Sequence, residues 1–265
     1  MDNYIYNSAI WLQLHASAEG LTLLTFLFCS FAILALLRFY GAMGLYVYNA
    51  LALVVANIQV LRFTVYENYD GPVALGTVLF TTTFFVNDLL SEHYGRETAA
   101  KCVNLGFWVQ ILMVIWMLLT LAHPVVPLTG NPEPSLLEAQ LSYEAMMQLF
   151  TPSLRILTAS LIAYWCSQWL DVLIFAKLRV ATQGRYLWLR QNVSMIIAGF
   201  MDTALFSILA WRWFSETPVA WYELWMAYVV SAQVIRLLLN LAATPLMYLS
   251  YRCISPSSSV KVLTQ

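Results

Sequence analysis

Long apolar runs recur from one end of this chain to the other, and no other feature restricts its possible folds so strongly. About 20 consecutive apolar residues form a helix that matches the roughly 30 Å hydrocarbon core of a bilayer. Seven segments approach that length: Leu21 to Leu37, Met43 to Leu61, Val73 to Leu90, Cys102 to Ala122, Leu154 to Ala176, Val193 to Phe214 and Leu224 to Leu249. Only 10% of the 265 residues are charged and the mean hydropathy is +0.70. A soluble domain carries about a quarter charged residues, so this chain has too little charge to coat a water-facing surface. The reading is one integral membrane domain over residues 1–265, an all-α polytopic bundle of six or seven transmembrane helices, with loops too short to hold a soluble catalytic domain.

The net charge of −1 discriminates nothing. Cys29, Cys102, Cys166 and Cys253 lie in or beside apolar segments without CxxC spacing and read as small hydrophobes rather than as a zinc site or a disulfide framework. Residues Met1 to Glu19 contain no Lys or Arg, and the first apolar run leads to Arg38-Phe-Tyr-Gly, which does not read as a secretory signal.

Basic residues set the orientation, because cytoplasmic loops hold the excess of Lys and Arg. Arg38, Arg96, Lys101, Lys177, Arg179, Arg185, Arg190, Arg252 and Lys261 follow odd-numbered spans, so nine of the 13 fall on one side. Arg62, Arg155 and Arg212 mark the other side, together with most of the acidic loop residues. The expected arrangement is a periplasmic N-terminus and a cytoplasmic C-terminus in a bacterial inner membrane. The longest loop, residues 123–151, opens on Pro and Gly signals; Leu137, Leu141, Ala145 and Leu149 then recur every fourth position, which predicts a short amphipathic helix on the periplasmic surface. Trp188, Trp211, Trp213, Trp221 and Trp225 at span ends read as interfacial anchors, whereas Trp116 and Trp165 lie deeper.

Ionisable side chains within the hydrocarbon region cost several kcal/mol unless paired or hydrated, so each is a candidate for function. Asp88, preceded by Thr81, Thr82, Thr83 and Asn87, shares a helical face with Glu92, which is expected to reach water or pair with Arg96 or Lys101. Gln168 and Asp171 share a face of span five, with Asp171 about 8 Å inside the bilayer at 1.5 Å per residue. Asp202 falls near mid-membrane in span six beside Thr203, with Asn192 and Ser194 upstream. Gln233, Arg236 and Asn240 form a stripe on span seven, and Arg236 is expected to pair with Asp202 or Asp171. These polar stripes imply a hydrogen-bonding cavity inside the bundle, suited to a small polar solute.

The stretches Thr82-Thr-Phe-Phe-Val-Asn-Asp-Leu-Leu-Ser-Glu-His-Tyr-Gly-Arg, Gln168-Trp-Leu-Asp-Val-Leu-Ile-Phe-Ala-Lys, Leu187-Trp-Leu-Arg-Gln-Asn-Val-Ser and Asp202-Thr-Ala-Leu-Phe resemble the queuosine precursor transporter (VUT) family in order and spacing. The likeness runs from about Ala50 to Tyr248. It implies uptake of 7-cyano-7-deazaguanine or 7-aminomethyl-7-deazaguanine for tRNA modification, and a fold like the substrate-binding subunits of energy-coupling-factor transporters. Family members are usually pictured with about six helices, so Leu21 to Leu37 is an apparent extra one. A guanine-like base presents an N–H and an amine side by side, which one carboxylate can accept as a bidentate pair. Asp171 or Asp202 is the candidate for that edge; Gln168, Asn192, Gln233 or Arg236 for the carbonyl and ring nitrogens; Asp88 completes the polar set; and Trp165 or Phe175 could stack on the ring.

Span seven contains no lysine, which argues against a retinal protein, and His15, His93 and His123 fall in separate loops with no HExxH or GxSxG motif, which argues against an enzyme. No cofactor, metal or nucleic-acid partner is expected. With no nucleotide-binding motif, an alternative role as a substrate-binding subunit for another vitamin-like solute would need a partner ATPase. Ala159 and Ala163 offer a small-residue face on which a partner helix or a second copy could dock.

Overall fold

The apolar runs become helices because a backbone in hydrocarbon must satisfy its own hydrogen bonds. A computed structural model describes residues 18–60, 62–66, 69–124, 134–150 and 153–254. His15 and Lys261, the N-terminal stretch read for a signal, and the Pro- and Gly-rich start of the long loop after Pro124 lie outside the described residues.

Helix α1 spans Ala18–Gln59 but is two arms, because Gly41 breaks it at φ 60° and ψ −137°, a backbone conformation that glycine tolerates best. The arms fold back on each other so closely that a Cβ on Gly44 would lie 2.5 Å from the Leu36 carbonyl oxygen. The extra N-terminal helix is therefore present, as the arm 18–40.

Strands β1 (Phe63–Tyr66) and β2 (Tyr69–Ala74) then form an antiparallel hairpin, pairing Phe63 with Ala74 and Thr64 with Val73. This element was not expected. Its second strand takes Val73, which the hydropathy reading gave to the third span, and helix α2 (Thr77–His93) begins only after a turn at Leu75 and Gly76. That turn is held down by the Leu75 N–H donating to the Arg62 carbonyl (2.9 Å) and by Gly76, where a Cβ would come within 2.7 Å of the Ala56 oxygen.

Helix α3 spans Arg96–Ala122, the amphipathic α4 spans Pro134–Phe150, and α5 spans Ser153–Ala181. Helix α6 runs from Leu187 to Trp213, ending in a π-helical turn from Leu209, and α7 runs from Trp221 to Cys253 with a π-helical stretch over Leu224–Val230. Five of these helices are long and apolar enough to cross a membrane: α1, α3, α5, α6 and α7.

Helix α2 is the axis of the bundle. It packs against all five of those long helices, and every residue in it except Phe80 and His93 is buried. One end of the bundle carries the β-hairpin; the other carries the tight turns at Gly41, Tyr94–Gly95 and 182–186. Gly41 lies against the Tyr94 side chain, which puts two of those turns side by side.

Candidate substrate site

Polar side chains climb α2 from the hairpin end to the turn end, and each level meets a partner on a surrounding helix. Near the hairpin end a cavity of about 70 Å³ opens between α2, α5, α6 and α7. Its aromatic walls are Phe63, Phe80, Phe206, Trp211 and Tyr228; Thr77, Ser160, Thr203, Ser207 and Ser231 supply hydroxyls. Phe63 reaches this wall because the hairpin folds over the bundle end, where its ring centroid lies 6.3 Å from that of Trp211. Trp211, read from the sequence as a membrane anchor, also has its ring 5.4 Å from Tyr228.

The inner end of this cavity is an ion pair. Arg236 Nη2 lies 2.6 Å from Asp202 Oδ2, and the Ser167 hydroxyl donates to Asp202 Oδ1 at 3.0 Å. Arg236 Nη1 donates to the Gly199 carbonyl at 3.2 Å, and the guanidinium lies 5.8 Å from the Phe84 ring centroid. Arg236 thus takes Asp202, not Asp171, and every charge in the pair is neutralised in a poorly hydrated place.

Beyond Arg236 lies a second, larger cavity of about 230 Å³, framed by Thr81 and Phe84 of α2, Met195, Gly199 and Phe200 of α6, and Gln233, Arg236 and Asn240 of α7. On α2 and α6 its residues lie nearer the turn end than those of the first cavity; on α7 the two linings interleave as far as Arg236, and only the second continues to Leu237 and Asn240. The two cavities are therefore stacked along the bundle, with Arg236 common to both walls.

Further along, Asn87 donates to Gln168 Oε1 at 2.6 Å and Gln168 donates to the Thr83 hydroxyl at 2.8 Å, tying α2 to α5. Asp88 and Asp171, both 0% exposed, lie within electrostatic reach of each other beside Ser194. The Ser194 hydroxyl bonds Asp88 at 3.5 Å, while neither Asp171 oxygen nor either polar end of Gln191 has a hydrogen-bond partner among the described residues. Asn192 is engaged with the Trp188 carbonyl (2.7 Å) and the Thr244 hydroxyl (3.0 Å).

The last level closes the turn end. Glu92 pairs with Arg190 at 2.5 Å and accepts from the Tyr251 hydroxyl. Arg190 also donates to the Gly184 and Arg185 carbonyls (2.8 and 3.2 Å) and sits 5.5 Å from the Phe175 ring centroid. Arg179 donates to the carbonyls of Ser91 (2.8 Å) and Glu92 (3.0 Å), and His93 shares a 2.7 Å hydrogen bond with Ser250. The sequence reading had Glu92 reaching water and Arg190 in a loop. Both are instead buried, because α6 begins at Leu187 and carries Arg190 into the bundle.

Of the expected site residues, Asp202, Arg236 and Gln233 meet at the cavities, and Asp88, Asp171, Gln168 and Asn192 belong to the levels beyond. Trp165 lies elsewhere: it is 45% exposed, beside Phe107 and Trp169 on the α3–α5 face. Phe175 covers Arg190 and lines neither of these two cavities. Ala159 and Ala163 are buried within the chain, Ala159 against Leu209 and Ala210 of α6 and Ala163 on the wall of the first cavity, so that face points into the bundle and is not free to dock another helix. Thr203, which the sequence places beside Asp202, does line the first cavity; sequence reasoning missed the hydroxyls of Ser160 and of Ser207, although Ser207 stands one helical turn beyond Thr203.

The family model described as "Putative vitamin uptake transporter" (Vut_1) matches residues 74–250, which include α2, the whole second cavity, the first cavity apart from Val60, Phe63 and Val73, and the Glu92–Arg190 pair. A Bacillus subtilis (strain 168) protein named "Probable queuosine precursor transporter" is 30% identical over 216 residues, covering 81% of this chain and 86% of that protein. No solved structure matches the chain, so the likeness to energy-coupling-factor subunits has no structural counterpart here. The extent of the family match, centred on the helices that build the polar ladder, places this chain in the Vut_1 family of vitamin uptake transporters.

Proposed function

We propose that the protein imports queuosine precursors, 7-cyano-7-deazaguanine or 7-aminomethyl-7-deazaguanine, across the bacterial inner membrane and releases them chemically unchanged. The geometry supports a small, flat, polar solute. The observation that carries the reading is the buried Asp202–Arg236 pair set between two cavities, one walled by aromatic rings. Aromatic faces suit a planar base, a carboxylate accepts from its N–H and amine edge, and a guanidinium donates to its carbonyl. The name of the Bacillus subtilis relative supports the choice of solute.

In this reading both arms of α1 and the short α2 cross the bilayer with the other long helices, as a single membrane domain. Helix α2 is 17 residues long, about 25 Å at 1.5 Å per residue. It can be short and polar because protein rather than lipid surrounds it. The hairpin end faces the periplasm and the turn end the cytoplasm, since Arg38, Arg96, Lys101, Lys177, Arg185 and Arg252 cluster at the turn end even when the buried Arg190 is set aside. Helix α4 then lies on the periplasmic side.

The test is complementation: express the chain in a bacterium unable to make or import these bases, supply each at low concentration, and assay queuosine in tRNA. Restored queuosine supports the reading and ranks the two bases. Its absence, with the protein confirmed in the membrane, rejects it.

A further inference from the structure

Resting on that reading, we infer that the cavity beyond Arg236 is a second binding station for the base, and that Asn240 is its recognition residue. Asn240 is 2% exposed, yet neither end of its side-chain amide has a hydrogen-bond partner among the described residues. Leaving a buried amide unpaired costs about 1–3 kcal/mol, so such a group calls for a partner from outside the chain.

Two neighbours in the same wall have spare capacity of fixed sign. Gln233 commits its Nε2 to the Ile196 carbonyl at 3.2 Å, which leaves Oε1 free as an acceptor. Arg236 commits Nη1 and Nη2 to Gly199 and Asp202, which leaves Nε–H free as a donor. The wall therefore offers one donor, one acceptor and one amide that can serve as either. A guanine-type edge presents the complement, a carbonyl followed by a ring N–H and an amine. Phe84 and Phe200 supply apolar faces, and Phe200 is itself held by stacking on Trp225 at 6.2 Å. The mouth lies between α6 and α7, where Ile196 and Val234 are half-exposed. At about 230 Å³ the space is far larger than one water needs, and it exceeds the cavity on the other side of the ion pair. A base passing inward would be handed from one cavity to the other across Arg236.

Two variants test this. Asn240→Leu removes the amide at similar volume. Gly199→Ala adds a methyl group to the cavity wall, 3.6 Å from Arg236 Nη1 and 3.9 Å from Gln233 Oε1, an ordinary packing distance that lets the helix form normally. Binding of labelled 7-cyano-7-deazaguanine is measured for each variant and the wild type in lipid nanodiscs, alone and against an adenine-type analogue lacking the carbonyl. The expected result is about tenfold weaker binding in both variants, loss of discrimination between the two bases in Asn240→Leu, and unchanged melting in Gly199→Ala. Wild-type affinity and discrimination in both variants would overturn the second station while leaving the transport reading intact. No binding by the wild type would reject the transport reading and the station with it.

Discussion

Helices α2 and α3 are joined by a two-residue turn, yet they occupy opposite environments. On α3 the buried residues are Ala99, Cys102, Val103, Gly106, Gln110 and Met113, a single stripe at helical spacing, while Trp108, Leu112, Trp116 and Leu119 are exposed on the rest of the surface. On α2 nearly the whole circumference is hidden, and it carries Thr81, Thr82, Thr83, Asn87, Asp88, Ser91 and Glu92. The difference teaches that hydropathy records which residues meet lipid, not which lie deep. A helix enclosed by other helices can afford hydroxyls and carboxylates because its neighbours supply hydrogen bonds, and the chemistry of the protein collects there.

The sharpest way to break this contrast is to remove an acid from each helix. Glu92→Ala on α2 leaves Arg190 buried without its counter-ion, and loss of one partner of a buried pair costs about 3–5 kcal/mol. Glu97→Ala on α3 alters an exposed side chain and should change stability by less than about 0.5 kcal/mol. Thermal melting of the two purified variants would separate them; equal melting points would mean that the Glu92–Arg190 pair does not close the turn end.

The contrast sharpens along the narrow buried stripe of α3. A Cβ at Gly106 would collide with the Tyr164 hydroxyl and come within 2.7 Å of Leu53, so Gly106→Ala should destabilise by about 1–3 kcal/mol through overpacking. Melting that matches the wild type would show that α3 can move away from α5 and α1 without loss.

How much of this was legible in the sequence follows from the same physics. The lipid-facing helices announce themselves, since α3 and the first arm of α1 must be apolar wherever they touch hydrocarbon. A lone central cation needs an anion, so the demand for a partner to Arg236 was readable, but choosing Asp202 over Asp171 needed the helix packing. The β-hairpin was not legible, because Val73 and Ala74 continue the apolar pattern of α2 and only their pairing with Thr64 and Phe63 reveals the strand. Arg190 misled because a basic residue near a span end looks the same whether it faces cytoplasm or pairs with Glu92. Trp211 and Trp165 exchanged expectations for a similar reason: an aromatic ring suits a membrane boundary, a lipid face or a cavity wall equally well.

Smaller effects belong to single hydrogen bonds around α2. Tyr48→Phe removes the hydroxyl that meets Thr82 at 2.8 Å and should cost about 1 kcal/mol, read as a lower melting point with the fold retained. The smallest effect is expected at Trp116, which is 63% exposed on α3: Trp116→Leu exchanges one lipid-facing apolar group for another and should change stability by under about 0.5 kcal/mol. A large loss there would mean that this face of α3 is covered by another protein surface.

The central claim is that solute passes along the polar surface around α2 and not along the lipid-facing helices. Its most direct test is uptake of labelled 7-cyano-7-deazaguanine into proteoliposomes holding equal amounts of wild type, Asp202→Asn or Trp116→Leu protein. The account predicts saturable uptake by the wild type and by Trp116→Leu, and at least a tenfold loss in Asp202→Asn, which weakens the pair between the two cavities. Equal uptake by Asp202→Asn and wild type would contradict it.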